Sequence, residues 1–106
     1  MKALVLHLPS HNVSLRDLPL PEPSVGEVLV KVHAVALNPI DSLYVFKPIA
    51  TQEQRVIGTD FAGVVVEASA EIAGSSDART TPGARVAGFL QGGMSANFAL
   101  FSVVAD

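Results

Sequence analysis

Apolar and polar residues alternate along most of this chain with a period of two, which is typical of half-buried β-strands. The clearest run covers residues 27–37, directly after Gly26. Its alternate positions predict two faces, with Val28, Val30, Val32 and Ala34 on one and Leu29, Lys31, His33 and Val35 on the other. Five shorter runs also predict strands: residues 2–8, 13–18, 61–68, 83–90 and 97–104. The pattern therefore predicts five or six strands.

Proline and asparagine mark where the periodic pattern changes. Asn38 suits a helix N-cap and Pro39 suits the first helical turn, so a short helix over residues 39–46 is expected before Pro48. Gly58 and Gly63 indicate a bulge or a close approach of two backbones. Three segments without periodicity predict a hairpin turn, an extended surface stretch and a surface loop: residues 9–12, 19–23 and 70–82.

The composition limits the classes of protein to which the chain belongs. Its 106 residues predict one domain, and 49% of them are apolar against 16% charged. This apolar share indicates a face that another polypeptide covers or an apolar ligand cleft, with a well-filled β core as the alternative.

The net charge of −3 and the lack of a basic run argue against nucleic acid as a binding partner. No stretch is long and apolar enough for a membrane span, so we expect no membrane partner and a cytoplasmic location.

Two motifs carry a specific resemblance to a known family. Residues 36–41 read Ala-Leu-Asn-Pro-Ile-Asp, and residues 58–65 read Gly-Thr-Asp-Phe-Ala-Gly-Val-Val. In order and spacing they resemble the catalytic domain of the medium-chain dehydrogenase/reductase superfamily, in its zinc-free quinone-reductase and fungal enoyl-reductase branch. The resemblance implies a mainly β, GroES-like fold over residues 1–106: a partly open β-barrel with one or two short helices.

The resemblance also bears on metal binding. In the family's alcohol dehydrogenases a cysteine occupies the position of Asn38, and a His-Glu pair occupies that of Thr59 and Asp60. Asparagine and threonine are poor zinc ligands, and the chain contains no cysteine. We therefore expect no metal site, and we expect the three histidines to be ordinary surface or half-buried residues.

The cofactor that the resemblance implies for the complete enzyme is NADP(H). The resemblance places Asn38, Pro39 and Ile40 beside the nicotinamide, and Lys47 near a cofactor phosphate, the ribose or the substrate. Structural roles compete with these, namely an N-cap for Asn38 and a solvated surface amine for Lys47. The chain has no Gly-x-Gly-x-x-Gly fingerprint of a Rossmann domain, so we expect no tight dinucleotide binding by this chain alone.

Reduction of an enone or enoyl thioester by hydride produces an enolate, whose oxygen needs a hydrogen-bond donor and whose α-carbon later needs a proton. Tyr44, the single tyrosine of the chain, is the candidate donor, and Thr59 is a second catalytic candidate in the wall of the cleft. Half-buried packing with a wet hydroxyl is the alternative for Tyr44. Asp60 is expected to accept backbone N–H bonds.

Three functions stay open at this point. The first is the substrate-binding and catalytic half of an NADPH-dependent, zinc-independent reductase of activated double bonds. Its partners would be an enoyl or enone substrate, a polyketide synthase, and either the missing Rossmann domain or a second copy on the same face. The second is a stand-alone GroES-like binding module or cofactor-independent catalyst, motivated by departures from the family pattern at Ala84 and at Leu100 and Phe101. The third, a co-chaperonin, matches in length and fold name but lacks the two motifs.

Overall fold

The computed structural model describes residues 1–46, 54–89 and 98–102 of the chain. The elements in this part are β1 (Lys2–His7), β2 (Asn12–Asp17), β3 (Glu27–Val35), α1 (Pro39–Phe46), β4 (Gln54–Val56), β5 (Asp60–Ala68), a 3₁₀ turn (Ala78–Thr80), β6 (Arg85–Phe89) and β7 (Phe98–Ser102). The strands form two sheets, with orders β2-β1-β4 and β6-β5-β3-β7. All pairings are antiparallel. This architecture confirms the predicted fold class.

Most predicted elements lie where the sequence placed them, and the helix agrees to the residue. Two differ. The described part of the chain has seven strands instead of five or six, because Gln54–Val56 pairs with β1 and three residues are too few for periodicity to detect. The predicted loop at 70–82 contains a 3₁₀ turn, which Asp77 caps by accepting a hydrogen bond from the Arg79 N–H. No helix in the portion described has the length and apolar character needed to cross a membrane.

One cluster of buried apolar side chains belongs to the four-stranded sheet, and Ala3, Val5 and Leu6 of β1 are buried as well. Val30 and Val65 are fully buried in that cluster, and Phe61 is 4% exposed. Leu29, on the opposite side of β3 in the predicted alternation, is also buried. The pairing of β3 with β5 shifts register between Leu29 and Val30 and again between Val32 and Ala34. Such bulges bend a strand and re-aim its side chains, so simple alternation does not describe β3.

Strands β3 and β5 approach each other closely at Gly63, as the sequence predicted. A Cβ on this glycine would lie 2.2 Å from the Lys31 carbonyl oxygen and 2.8 Å from Val30 Cγ1. Beyond this contact the pairing continues to Val35 opposite Phe61. The residues that follow β3 and those that precede β5 therefore meet at one end of the sheet.

Candidate functional site

The end of the sheet where β3 leaves and β5 enters carries a group of four polar residues. Asn38 directly precedes α1, Asp41 lies in its first turn, and Thr59 and Asp60 stand at the start of β5. We call Asn38, Asp41, Thr59 and Asp60 the polar cluster. Its members come from the two motifs that carry the family resemblance, which lie about 20 residues apart in the sequence.

Hydrogen bonds join the four residues. The Asn38 side-chain amide donates from Nδ2 to Asp60 Oδ2 over 2.9 Å, and the Asn38 backbone N–H donates to Asp41 Oδ2 over 2.9 Å. The other Asp41 oxygen accepts a longer bond, 3.4 Å, from the Thr59 hydroxyl. The Asp41 backbone N–H donates to the Asn38 carbonyl over 3.0 Å. Hydrogen bonds thus hold both Asn38 and the start of α1 to residues at the start of β5.

These bonds determine the orientation of the Asn38 amide. The amide nitrogen lies toward Asp60, so its carbonyl oxygen is directed away from that carboxylate and one further N–H remains on the nitrogen. Asn38 as a whole is half-buried. The arrangement presents a fixed acceptor and donor pair, which suits a ligand that carries a carboxamide.

The predicted site residues fall into three groups. Asn38, Pro39 and Ile40 lie together at the start of α1, where Asn38 and Ile40 are half-buried and Pro39 is exposed. Thr59 is only 1% exposed, and its hydroxyl donates to Asp41. Tyr44 belongs to α1, but its side chain lies outside the described part of the chain, as does Lys47. The roles predicted for these residues stay predictions.

Asp41 and Asp60 have more specific positions than the sequence suggested. Asp41 reaches back to the N–H of the N-cap residue, as the fourth residue of a capping box does. Its spacing of three from Asn38 was the signal for this contact. The bond described at the Asp60 carboxylate comes from a side-chain amide, where we expected backbone N–H groups. Nothing in the local sequence pairs residue 60 with residue 38.

Four exposed apolar residues lie close to members of the polar cluster in the sequence or pair with one of them in the sheet. Leu37, immediately before Asn38, is 85% exposed, and Phe89, which pairs with Asp60 in the sheet, is 58% exposed. Leu43 on α1 and Val35 at the end of β3 are exposed by 51% and 38%. We call Val35, Leu37, Leu43 and Phe89 the apolar rim. A large exposed leucine and phenylalanine beside one polar group are typical of a surface that another polypeptide covers.

A surface groove and possible metal-binding groups were the other candidates for a functional site. A shallow groove of about 530 Å³ lies on the sheet, lined by His33, Val64 and Arg85 among others, but it contains none of the predicted site residues. Across the described ranges, no three or more His, Cys, Asp or Glu side chains are grouped so that they could hold a metal ion. The polar cluster is therefore the candidate site.

Comparison with known proteins identifies the family of the chain. The alcohol dehydrogenase GroES-like domain family matches residues 24–100, which include the polar cluster. The chain is 36% identical over 90% of its length to the trans-enoyl reductase resD of Aspergillus sclerotiorum, and 40% identical over 81% of its length to the trans-enoyl reductase ACTTS2 of Alternaria alternata. It spans only about a quarter of each relative, 25% and 24%.

Solved structures of the same superfamily share this fold. A mycobacterial protein solved in complex with NADPH superimposes with a TM-score of 0.81 at 25% identity, over all of this chain and 34% of that one. The quinone oxidoreductase of Thermus thermophilus, also solved with NADPH, gives 0.71 at 29% identity over 94% of this chain and 29% of that one. The match to the family model covers most of the chain, and the fold agrees with it. The chain belongs to the alcohol dehydrogenase GroES-like domain family of the medium-chain dehydrogenases and reductases, as its two motifs predicted.

Proposed function

We propose that this chain is the substrate-binding and catalytic half of a cytoplasmic, NADPH-dependent, zinc-independent reductase of activated double bonds. The observation that carries the proposal is the polar cluster, in which the family's Asn-Pro-Ile-Asp and Gly-Thr-Asp motifs are joined through the Asn38–Asp60 bond. The names of relatives support the reaction class, because they include trans-enoyl reductases and a quinone oxidoreductase with NADPH. The substrate is an enoyl thioester or an enone.

The residues at the start of α1 fit a nicotinamide. A nicotinamide is a flat ring with a carboxamide, and Asn38 offers a matching amide whose orientation the Asp60 carboxylate sets. Pro39 and Ile40 supply apolar surface beside that amide. When bound, the reduced nicotinamide supplies the hydride. Asn38 would bind and orient it, with Pro39 and Ile40 against the ring and Lys47 at a phosphate, the ribose or the substrate.

We assign stabilisation of the enolate and positioning of Asn38 to two hydroxyl groups. Tyr44 is the proposed donor to the substrate oxygen that becomes negative on reduction, because a neutral phenol can stabilise an enolate by a hydrogen bond. The bond from Thr59 to Asp41 supports a positioning role for Thr59, through the carboxylate that holds the Asn38 backbone. A direct contact of Thr59 with substrate would require its hydroxyl to leave Asp41.

Zinc independence rests on the donor set. The positions that hold Cys and His-Glu in zinc-containing relatives hold Asn38, Thr59 and Asp60, and their polar atoms bond to one another and to Asp41. A carboxamide and a hydroxyl are poor ligands for zinc compared with thiolate and imidazole. Addition of zinc or of a chelator should leave the reductase activity unchanged.

The main test supplies the part of the relatives that this chain does not span. The chain is joined at its carboxyl end to the dinucleotide-binding domain of a trans-enoyl reductase, and NADPH oxidation is followed with an enoyl thioester and with an enone. We expect turnover in the joined protein, and neither turnover nor tight NADPH binding in the chain alone. Ordinary turnover by the chain alone would contradict this division. Binding of substrate without turnover in the joined protein would favour the binding-module alternative.

Two substitutions in the joined protein test the residue roles. Tyr44→Phe should lower kcat by about 100-fold, the usual effect of removing one proton donor or oxyanion contact. Asn38→Ala should mainly raise the KM for NADPH, because it removes a contact with the bound cofactor. Asp77→Asn, at the residue that caps the 3₁₀ turn, is the control and should keep the parent's kcat and KM. If Tyr44→Phe retains full kcat, another group must stabilise the enolate.

The apolar rim completes the proposal. We assign it to the dinucleotide-binding domain, because its exposed apolar residues neighbour, in the sequence or in the sheet, the segments proposed to touch the cofactor. In the chain alone the same surface should drive self-association, which sedimentation velocity would detect. The double substitution Leu37→Ser with Phe89→Ser should return the chain to monomer, and Leu15→Ser, which alters a 62%-exposed leucine on β2, should not. A polyketide synthase is the proposed source of an enoyl substrate, as the resemblance to fungal enoyl reductases implies.

A further inference from the structure

The hairpin between β1 and β2 makes a contact that the proposed function does not use. His11, in the turn of this hairpin, bonds through Nδ1 to the carbonyl oxygen of Val45, and the two atoms are 2.7 Å apart. The residues are 34 positions apart in the sequence. The hairpin belongs to the three-stranded sheet, whereas Val45 belongs to the helix that begins at the polar cluster.

The backbone of the turn is arranged so that His11 can reach the helix. His11 has a φ of +60°, in the left-handed region that non-glycine residues seldom adopt, although asparagine, aspartate and histidine adopt it more readily than others. The Ser10 hydroxyl supports the turn by donating to the His7 carbonyl over 3.3 Å. A further hydrogen bond, 2.9 Å between His7 Nε2 and Ser14 Oγ, joins β1 to β2 next to the turn.

The helix needs such a contact. Its eight residues are fewer than an isolated helix requires for stability in water. The last four carbonyls of any helix have no partner within it, and Val45 provides one of them. A ring N–H that bonds a carbonyl here also meets the negative end of the helix dipole favourably. The amino end of α1 is held to β5 through the polar cluster, and His11 holds the carboxyl end.

We propose that His11 is a positioning residue, which fixes the carboxyl-terminal end of α1 and with it the orientation of the helix against the bound cofactor. The idea rests on the proposed function, because Tyr44 lies next to Val45 in this helix. His11 touches neither cofactor nor substrate in the proposal. It acts through the Val45 carbonyl, and the bond requires the hydrogen on Nδ1.

Two substitutions that introduce side chains of nearly equal size distinguish the role of the hydrogen bond to Val45 from the role of the turn conformation at His11. His11→Asn keeps tolerance of a positive φ and places an amide N–H at the position of Nδ1. His11→Asp keeps the same size and backbone tolerance but turns a carboxylate toward the carbonyl. Hydrogen exchange in the 106-residue chain should be about fivefold faster at the Leu43 and Val45 amides in His11→Asp than in the parent, the effect of losing one net hydrogen bond. His11→Asn should match the parent, and the Val65 amide in the core should not change in either variant.

A nitrogen NMR spectrum of the parent adds a measurement that needs no variant. It should show the His11 ring with its hydrogen on Nδ1. Hydrogen on Nε2 alone would overturn the proposal, as would equal exchange rates in His11→Asp and His11→Asn. Should His11→Asp fail to fold, the ring spectrum and His11→Asn still decide the matter.

The functional part is measured in the joined protein. His11→Asp should raise the KM for NADPH about fivefold and change kcat by less than about twofold, since bound cofactor holds the helix in place again. His11→Asn should restore the parent KM. A change in exchange without a change in KM would limit His11 to a structural role and overturn the positioning role. A joined protein with no reductase activity would instead reject the proposed function; NADPH affinity, measured by titration of the same variants, would then decide the role of His11.

Discussion

The core of the four-stranded sheet and the polar cluster at its end are held together by different forces. In the core, Val30 and Val65 are fully buried, and the backbones of β3 and β5 meet at Gly63 with no room for a methyl group. In the cluster, half-buried Asn38 is held by hydrogen bonds to two carboxylates. The core tolerates little change in volume, whereas the cluster depends on which group donates and which accepts.

This difference separates stability from function. Close packing of apolar groups supplies most of the free energy of folding but presents no chemistry to a ligand. Hydrogen bonds in the cluster add less free energy, and they fix the direction of an amide. Substitutions in the core should therefore change unfolding most, while those in the cluster should change it less and alter ligand binding.

The largest expected effect is that of Gly63→Ala. The new methyl group would lie 2.2 Å from a backbone oxygen, so the two central strands would have to separate. We expect a loss of about 3 kcal/mol or more in the free energy of unfolding, measured in urea. Gly74→Ala is the control: nothing lies within 4 Å of its Cβ, and only the φ of +83° opposes the change, at about 1–2 kcal/mol. Equal losses in the two variants would show that the contact at Gly63 is not rigid.

Val65→Ala should have the next largest effect. Val65 is fully buried, so removing two methyl groups loses their burial and leaves a cavity, which together cost about 2–3 kcal/mol. The neighbouring Val66 is 40% exposed, and Val66→Ala makes the same chemical change outside the core. Its effect on urea unfolding should stay within about 0.5 kcal/mol. A similar loss from both would contradict the burial of this strand.

Asn38→Asp tests the cluster. It replaces the amide that donates to Asp60 with a third carboxylate, which repels both partners. We expect a loss of about 1–2 kcal/mol at neutral pH, more than for Asn38→Ala, which loses the bond without adding charge. The folded variant can relieve the repulsion by binding a proton, so its deficit relative to the parent should shrink as the pH is lowered. A deficit that does not change with pH would mean that the carboxylates do not interact.

The smallest effect is expected at the 3₁₀ turn. Hydrogen bonds from the side chain and backbone of Arg79 lower the pKa of Asp77 from 3.8 to about 2. A carboxyl whose pKa is lowered on folding stabilises the fold above its unfolded pKa, and this contribution disappears as the pH falls through the folded value. Asp77→Asn should therefore be less stable than the parent at neutral pH, and the two should converge between about pH 4 and pH 2. Chemical-shift titration of Asp77 measures the same pKa directly.

Some parts of this picture could be predicted from the sequence because their causes are local. Alternation with a period of two located most strands, and Asn38 with Pro39 marked the start of the helix to the residue. The strand Gln54–Val56 was missed because it is stabilised by pairing with β1 and has no pattern of its own. The two motifs identified the family and the segments of the site, though not the contacts between them.

The sequence by itself determined the class of fold, the family, and the set of groups at the site, since residue type, spacing and turn chemistry act over a few neighbouring positions. Only the tertiary structure decided that Asp60 orients the Asn38 amide, that Thr59 donates to Asp41, and that His11 reaches the far end of the helix. These contacts join residues 18 to 34 positions apart. They depend on strand register, on bulges and on the close approach at Gly63, which arise from packing of the whole chain.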